Sequence, residues 1–222
     1  MAKKPVKILV LFYSFTGSVA KLAKFVAAGA AAVVNTEVVV KQVPEVLPRE
    51  FFLSQPKLQK IHEALDAEFP VATVEDLLAA DGIAFGTPTH FGSFASQMKQ
   101  FIDQLSPQWL QGKLMNKPAA IFCAAGSTHG GEELTLLSMM IPLFNLGMIP
   151  VGIHYPIQGE GPEFDAGSPY GAIYVTGGNR ELSAADQKVA RVLGMRLATM
   201  AQIMNCGCES CNLCHDLNKK VK

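Results

Sequence analysis

The 222-residue chain predicts an α/β fold, a doubly wound parallel five-stranded sheet of order 2-1-3-4-5 with helices on both faces. Three observations predict it. Apolar, β-branched runs alternate with stretches of helical periodicity, the pattern of a parallel sheet whose crossovers are helices. The first apolar run, residues 6–13, ends abruptly in hydroxyls and a glycine, and a helical pattern starts at once. Three loops rich in small residues follow the first, third and fourth strands. In that order these strands are neighbours, so the loops converge at their C-terminal ends, where a ligand belongs.

The elements follow in order. In residues 19–34, Val19, Leu22, Phe25, Val26, Ala30 and Val33 recur at helical spacing, with Lys21 and Lys24 off the stripe. Residues 37–42 are β-branched and read as the second strand. Pro44, Pro48 and Pro56 make residues 43–56 an irregular excursion, and residues 57–68 read as a short surface helix. Thr73 caps a helix over residues 74–80, with Asp76 as the acid of a loose capping box. Residues 81–85 are the third strand and residues 86–92 a loop with glycine at both ends. A helix runs over residues 93–105, the fourth strand over 117–125, and a second glycine loop over 126–131. Residues 132–146 are helical with Gly147 as the stop, and residues 148–152 are the fifth strand. Residues 153–172 are a Gly- and Pro-rich loop, residues 173–176 a short strand, and Ser183 opens the last helix, to Met204. The chain thus divides into one domain, residues 1–204, and a Cys-rich tail, residues 205–222.

Bulk composition excludes several classes. Hydrophobic residues make up 49%, enough for a sizeable core and too many for a disordered chain. Lys plus Arg and Asp plus Glu are 19 each, so no net basic charge favours a nucleic-acid partner. Met1, Ala2, Lys3 and Lys4 before an apolar run look superficially like a signal peptide. The run is short, however, and no cleavage-type site closes it, so it reads as a buried first strand. No stretch approaches the roughly 18 apolar residues of a membrane span, and the expectation is a cytoplasmic protein. Four of the five cysteines lie near the C-terminus, which is no disulfide framework for the main domain.

The first turn carries the chemistry. Ser14, Thr16 and Ser18 offer hydroxyls, and the start of the following helix offers unpaired N–H groups and a partial positive charge. Together they form an anion site, most naturally for phosphate. Neither GxxxxGK[ST] nor GxGxxG is present, and no Lys or Arg lies in the turn, which favours a mononucleotide cofactor over a triphosphate or dinucleotide.

Three blocks carry a family resemblance: Ser14-Phe15-Thr16-Gly17-Ser18, Phe85-Gly86-Thr87-Pro88-Thr89-His90-Phe91-Gly92, and Gly167-Ser168-Pro169-Tyr170-Gly171-Ala172. Over residues 7–204 the chain resembles WrbA-type flavoproteins, FMN-dependent NAD(P)H:quinone oxidoreductases of flavodoxin-like fold. The resemblance implies that Ser14, Phe15, Thr16, Gly17, Ser18 and Val19 hold the FMN phosphate. It implies that Thr87, Pro88, Thr89, His90, Phe91 and Gly92 wrap the ring edge, and that Ala125, Gly126, Ser127, Thr128, His129 and Gly130 line the ring's pyrimidine side. Trp109 matches an aromatic that borders the substrate pocket from a neighbouring subunit, and the resemblance implies a homotetramer.

Three positions depart from the family pattern. Thr16 stands where a bulky aromatic is common, which bears on nicotinamide and substrate contacts. His90 stands where Arg is usual. Asn145-Leu146-Gly147 replaces a turn that usually carries a histidine near the flavin. The loop over residues 125–131 is one residue longer than usual, which makes His129 a candidate compensating histidine. The mechanism implied is ping-pong hydride transfer from NAD(P)H through FMN to a quinone, with His90 or His129 moving a proton. The competing reading is a flavodoxin-type electron carrier coupled to a centre in the tail; a third is a flavin-binding regulatory protein. Zero net charge disfavours a carrier, which docks through charged surfaces.

The tail places Cys206, Cys208, Cys211 and Cys214 in a Cys-x-Cys-x2-Cys-x2-Cys run. The x2 spacings match bacterial iron–sulfur runs without the closing Cys-Pro. Cys211-Asn212-Leu213-Cys214-His215 spells a haem attachment pattern, which calls for export. A single zinc held by so short a run is cramped unless a second subunit completes it. The expectation is a metal or iron–sulfur cluster, with redox-active thiols and a passive tail as alternatives. Cys123, in the fourth strand, reads as buried core.

Overall fold

The structure, a computed structural model, describes residues 4–154, 166–177 and 180–210, with side chains described as far as Asn205. β1 (Val6–Phe12), β2 (Thr36–Gln42), β3 (Gly82–His90), β5 (Pro118–Ala125) and β6 (Ile149–Pro150) form a parallel sheet in the order β2-β1-β3-β5-β6. β4 (Ser93–Phe94) pairs antiparallel with β3, and β7 (Ala172–Val175) pairs parallel with β5. The helices are α1 (Ser18–Ala31), α2 (Arg49–Leu53), α3 (Pro56–Glu68), α4 (Val74–Ala79), α5 (Ser96–Asp103), α6 (Ser106–Leu110), α7 (Glu132–Asn145) and α8 (Ala184–Ser210).

The sheet has seven strands rather than the expected five. The fifth position is shared. β6 pairs the first residues of β5 (Pro118↔Ile149) and β7 pairs its last ones (Ala125↔Val175). Past Pro150 the ladder makes one more bond, Val151 N–H donating to Ala119 O at 2.7 Å, before Ile153 N–H turns to Pro169 O at 3.0 Å and pairing with β5 passes to β7.

β1 shows why the sheet is covered on both faces. Ile8, Val10 and Phe12 point to a core shared with α1 and α8, including Leu22, Val26, Leu193 and Leu197. Leu9, Leu11 and Tyr13 point to the opposite core, with Leu77, Met98, Phe101, Leu136 and Met139 from α4, α5 and α7. The alternation is the two-residue period of a strand buried on both faces. Tyr13, just past β1, keeps that direction. It therefore faces α5 rather than solvent.

Candidate cofactor site

β1 delivers the chain into a turn at residues 13–17. Gly17 precedes α1 with φ 84°, a left-handed conformation that glycine adopts without penalty. Gly17, at the N-cap, has no side chain to cap α1. The backbone ladder of the helix begins with Lys21 N–H donating to Gly17 O at 3.1 Å. Ala20 N–H donates to Ser14 Oγ at 3.3 Å. Among the described residues, the N–H groups of residues 15–19 have no protein acceptor. Thr16 Oγ1 and Ser18 Oγ lie 3.3 Å apart beside them. Unpaired donors at a helix N-terminus with hydroxyls alongside form a site for an anion.

The turn forms one wall of an open cleft of about 210 Å³. Ser14, Phe15, Thr16, Ser18 and Val19 line it from the first loop, and Pro88, Thr89 and His90 from the end of β3. Ala124, Ala125 and Gly126 close it from the end of β5, with Thr176 after β7. The three predicted loops thus meet at one sheet edge. Ala124 and Thr176 are additions to the residues anticipated. Thr176 N–H donates to Ala125 O at 2.8 Å and its Oγ1 to the same oxygen at 3.2 Å. Pairing of β7 with the end of β5 is what carries it there.

The segment over residues 86–92 is not the loop expected. β3 continues to His90 and turns back into β4 through Phe91 and Gly92, at φ 52° and 74°. Two consecutive left-handed residues are the signature of a two-residue hairpin turn, normally marked by Asn-Gly or Gly-Gly. Thr87, fully buried, sits beneath: its Oγ1 accepts from Ala95 N–H at 2.9 Å and donates to Pro88 O at 3.0 Å. His90 is half-buried, and that burial lowers its pKa and favours the neutral ring. It stands edge-on to Phe15, with ring centroids 6.1 Å apart.

Other anticipated residues lie off the cleft. Phe91 is fully exposed at the hairpin tip, with Gly92 beside it. Ser127, Thr128, His129 and Gly130 form the turn before α7, in which Gly130 N–H donates to Ser127 O at 3.3 Å. Thr128 and His129 line a neighbouring cavity of about 600 Å³ with Glu132, Arg180 and Asp186, not the cleft itself. Trp109, on α6, is 52% exposed beside Ile102, Leu105, Ile141 and Pro142, outside the cleft of its own chain. Cys123 is buried in β5, and burial pushes its thiol up to about 12. α8 runs past the expected end at Met204 to Ser210, through the backbone of Cys206 and Cys208. Cys211 and Cys214 lie outside the described residues. Among the described residues, no three His, Cys, Asp or Glu side chains gather as a metal set.

Behind the turn at residues 13–17 lies a polar network that the sequence did not disclose. Glu45 Oε2 accepts from Tyr13 Oη at 2.7 Å, and Glu45 Oε1 accepts from Gln97 Nε2 at 2.7 Å and from the N–H groups of Val46 and Leu47 at 2.8 and 3.0 Å. Burial pushes the Glu45 carboxyl up, but these hydrogen bonds together outweigh it and hold it below its ordinary value. Burial, reinforced by Glu45, raises Tyr13 far above the usual phenol range.

Residues 6–163 match the family described as NADPH-dependent FMN reductase. Several relatives carry the name NAD(P)H dehydrogenase (quinone). The one from Geotalea uraniireducens is 38% identical over 199 residues, covering 88% of this chain and 97% of the relative. The one from Archaeoglobus fulgidus is 46% identical over 196 residues, with the same coverage. Among solved structures, a flavodoxin, WrbA-like protein from Agrobacterium tumefaciens superimposes with a TM-score of 0.60 at 22% identity, over 89% of this chain and 98% of that one. The fold is flavodoxin-like, and the chain belongs to the NADPH-dependent FMN reductase family.

Proposed function

We propose that the chain is an FMN-dependent NAD(P)H:quinone oxidoreductase whose cofactor occupies the three-loop cleft. The observation that carries this is the convergence of the open N–H groups at the start of α1, the end of β3 and the end of β5 on one edge. The donor set fits FMN. Backbone N–H groups and hydroxyls without a Lys or Arg suit a phosphate monoester, and an added Cβ at Gly126 would meet nothing within 4 Å, so room remains on that wall. The names of the relatives support NAD(P)H and a quinone as the two substrates.

FMN, when bound, supplies hydride acceptance from NAD(P)H and two-electron delivery to a quinone. The chain supplies the rest. Residues 14–19 hold the phosphate, and Pro88, Thr89, His90, Ala125 and Gly126 hold the ring edge. Thr87 pins the Pro88 carbonyl from below. The His90 ring, neutral at rest, lines the cleft and can relay a proton to a quinone oxygen, giving up one ring N–H as its other nitrogen takes a proton from water. His129 reaches that cleft only through a shift of its loop, which makes His90 the better-placed proton carrier. One open cleft serves both substrates in turn, giving ping-pong kinetics.

Assembly as a homotetramer is part of the same reading. Leu134, Leu137, Ile141 and Phe144 form an exposed apolar stripe along α7, and Ile141 adjoins Trp109. Covering that stripe with a second copy removes it from water and lets Trp109 border a neighbour's cleft, with Thr16 facing the substrate. A cytoplasmic location fits, and among the described residues no helix is long and apolar enough to cross a membrane. The tail beyond residue 204 is assigned a metal or iron–sulfur cluster held by Cys206, Cys208, Cys211 and Cys214, on the spacing of its thiols alone.

A single experiment tests these assignments: visible spectra of anaerobic protein before and after NADH, then after benzoquinone. The expected sequence is a flavin spectrum, bleaching by NADH, and recovery with quinone, over any separate tail absorption. A bound flavin that NADH and NADPH both fail to bleach overturns the proposed activity.

A further inference from the structure

The excursion after β2 touches the phosphate turn through a hydrogen bond that the proposed reaction does not use. His62, on α3, places Nε2 3.1 Å from the Phe15 carbonyl oxygen. A carbonyl only accepts, so Nε2 carries the proton. Three neighbours hold the ring. It packs on Phe52 with centroids 4.2 Å apart and stands edge-on to Phe15 at 6.1 Å. Its other nitrogen, Nδ1, lies 3.9 Å from Glu45 Oε2. Glu45 is fixed in turn by Tyr13, by Gln97 from α5 and by two backbone N–H groups.

Among the described residues, no other hydrogen bond anchors the Phe15–Thr16 peptide. Among the described residues, the backbone bonds flanking it are Tyr13 N–H to Gly86 O and Lys21 N–H to Gly17 O. A trans peptide is planar, with its C=O and N–H pointing in opposite directions. A carbonyl drawn toward α3 therefore turns the Thr16 N–H the other way, toward the cleft that Phe15 and Thr16 line. We propose that His62 is a positioning residue for the FMN phosphate: by holding the Phe15 carbonyl it aims the Thr16 N–H into the cleft. The inference rests on the flavin reading of that cleft.

The signature of such a role is selectivity for the phosphate. Flavin-free protein is titrated with FMN and, separately, with riboflavin, which lacks the phosphate, and flavin fluorescence quenching is followed. His62→Phe keeps an aromatic face against Phe52 and removes the donor. It is expected to weaken FMN about tenfold, the scale of one hydrogen bond to a charged group, while riboflavin affinity stays within about twofold. His62→Gln, whose amide reaches the Nε2 position, is expected to keep most of the FMN affinity, and the shorter His62→Asn to lose it. If His62→Phe does not fold, the Gln and Asn pair answers the same question.

Equal losses for FMN and riboflavin would show that the ring shapes the cleft as a whole and would overturn the inference. Unchanged FMN binding in His62→Asn would overturn it as well. Wild-type protein that binds neither flavin would overturn the reading of the cleft, and this inference with it.

Discussion

Gly126 and Gly131 bound the same loop, yet single atoms added to them have opposite consequences. Gly126 lines the cleft, and a Cβ there meets nothing within 4 Å. Gly131 has φ 95°, and its Cβ would sit 2.8 Å from Gly92 Cα. Gly126→Leu is therefore expected to leave the melting temperature of the flavin-free protein nearly unchanged and to weaken FMN at least tenfold, measured by melting and by fluorescence titration. Gly131→Ala, in contrast, strains the backbone and the hairpin beside it, at about 1–3 kcal/mol of stability. The turn at residues 13–17 with its open donors was legible in the sequence because hydroxyls and glycine between a strand and a helix are chemistry written in residue type. Thr176 and His62 were not. Thr176 arrives by strand pairing after a long excursion, and His62 stands on a helix that reads as ordinary surface. Phe91 hid the hairpin, because a bulky residue at φ 52° replaces the usual Asn or Gly signal.

At the scale of elements, the position of the open N–H donors of α1 depends on how that helix lies against α8. The two backbones touch. A Cβ on Gly29 would fall 1.9 Å from Arg191 O, and one on Gly194 would fall 1.9 Å from Val26 O. Neither carbonyl can yield without the helices parting. Gly194→Ala is expected to cost about 3 kcal/mol, as overpacking at a rigid contact does. In a chain of this size that lowers the melting temperature by roughly 6–12 °C. It should also weaken FMN, because the N-terminus of α1 moves with its axis. A melt and a titration of the variant check both; an unchanged melt would mean the helices slide apart freely. The long helices and buried strands were legible because each carries several periods of its pattern. α2, α6 and β4 have five residues or fewer and were missed, since so short a span shows no period. The fifth strand was read as one piece because nothing local reports that Ala172–Val175 completes the edge begun by Ile149–Pro150.

Across the whole molecule, residues 43–80 are tied to the sheet by carboxylates whose charge the fold favours. Glu45 joins the end of β1 to α5 through Tyr13 and Gln97. Asp76 accepts from Lys41 Nζ of β2 at 2.7 Å and from Thr73 N–H at 2.7 Å, closing the cap of α4. For Asp76, as for Glu45, burial raises the pKa, but the hydrogen bonds outweigh it and the net shift is downward. Both groups thus bind protons more weakly in the folded chain than in the unfolded one. Where the folded value is depressed, the stability it contributes is present above the unfolded pKa and lost as pH falls through the folded one. With ordinary values of 4.5 for Glu45 and 3.8 for Asp76, the contribution is full above about pH 5 and drains away below it. The flavin-free protein is expected to lose melting temperature steeply below pH 5. The double variant Glu45→Gln, Asp76→Asn should start lower at pH 7, fall less steeply, and converge on the wild-type curve as the pH falls through the depressed folded values. Two parallel curves would show that acid stability is set by other carboxylates. Wild-type curves for the flavin-loaded protein should start higher, because a ligand bound only by the folded state adds stability by mass action, and should close on the flavin-free curve as the pH falls. Acid should then release flavin as it loosens Glu45, the group behind both the phosphate turn and His62.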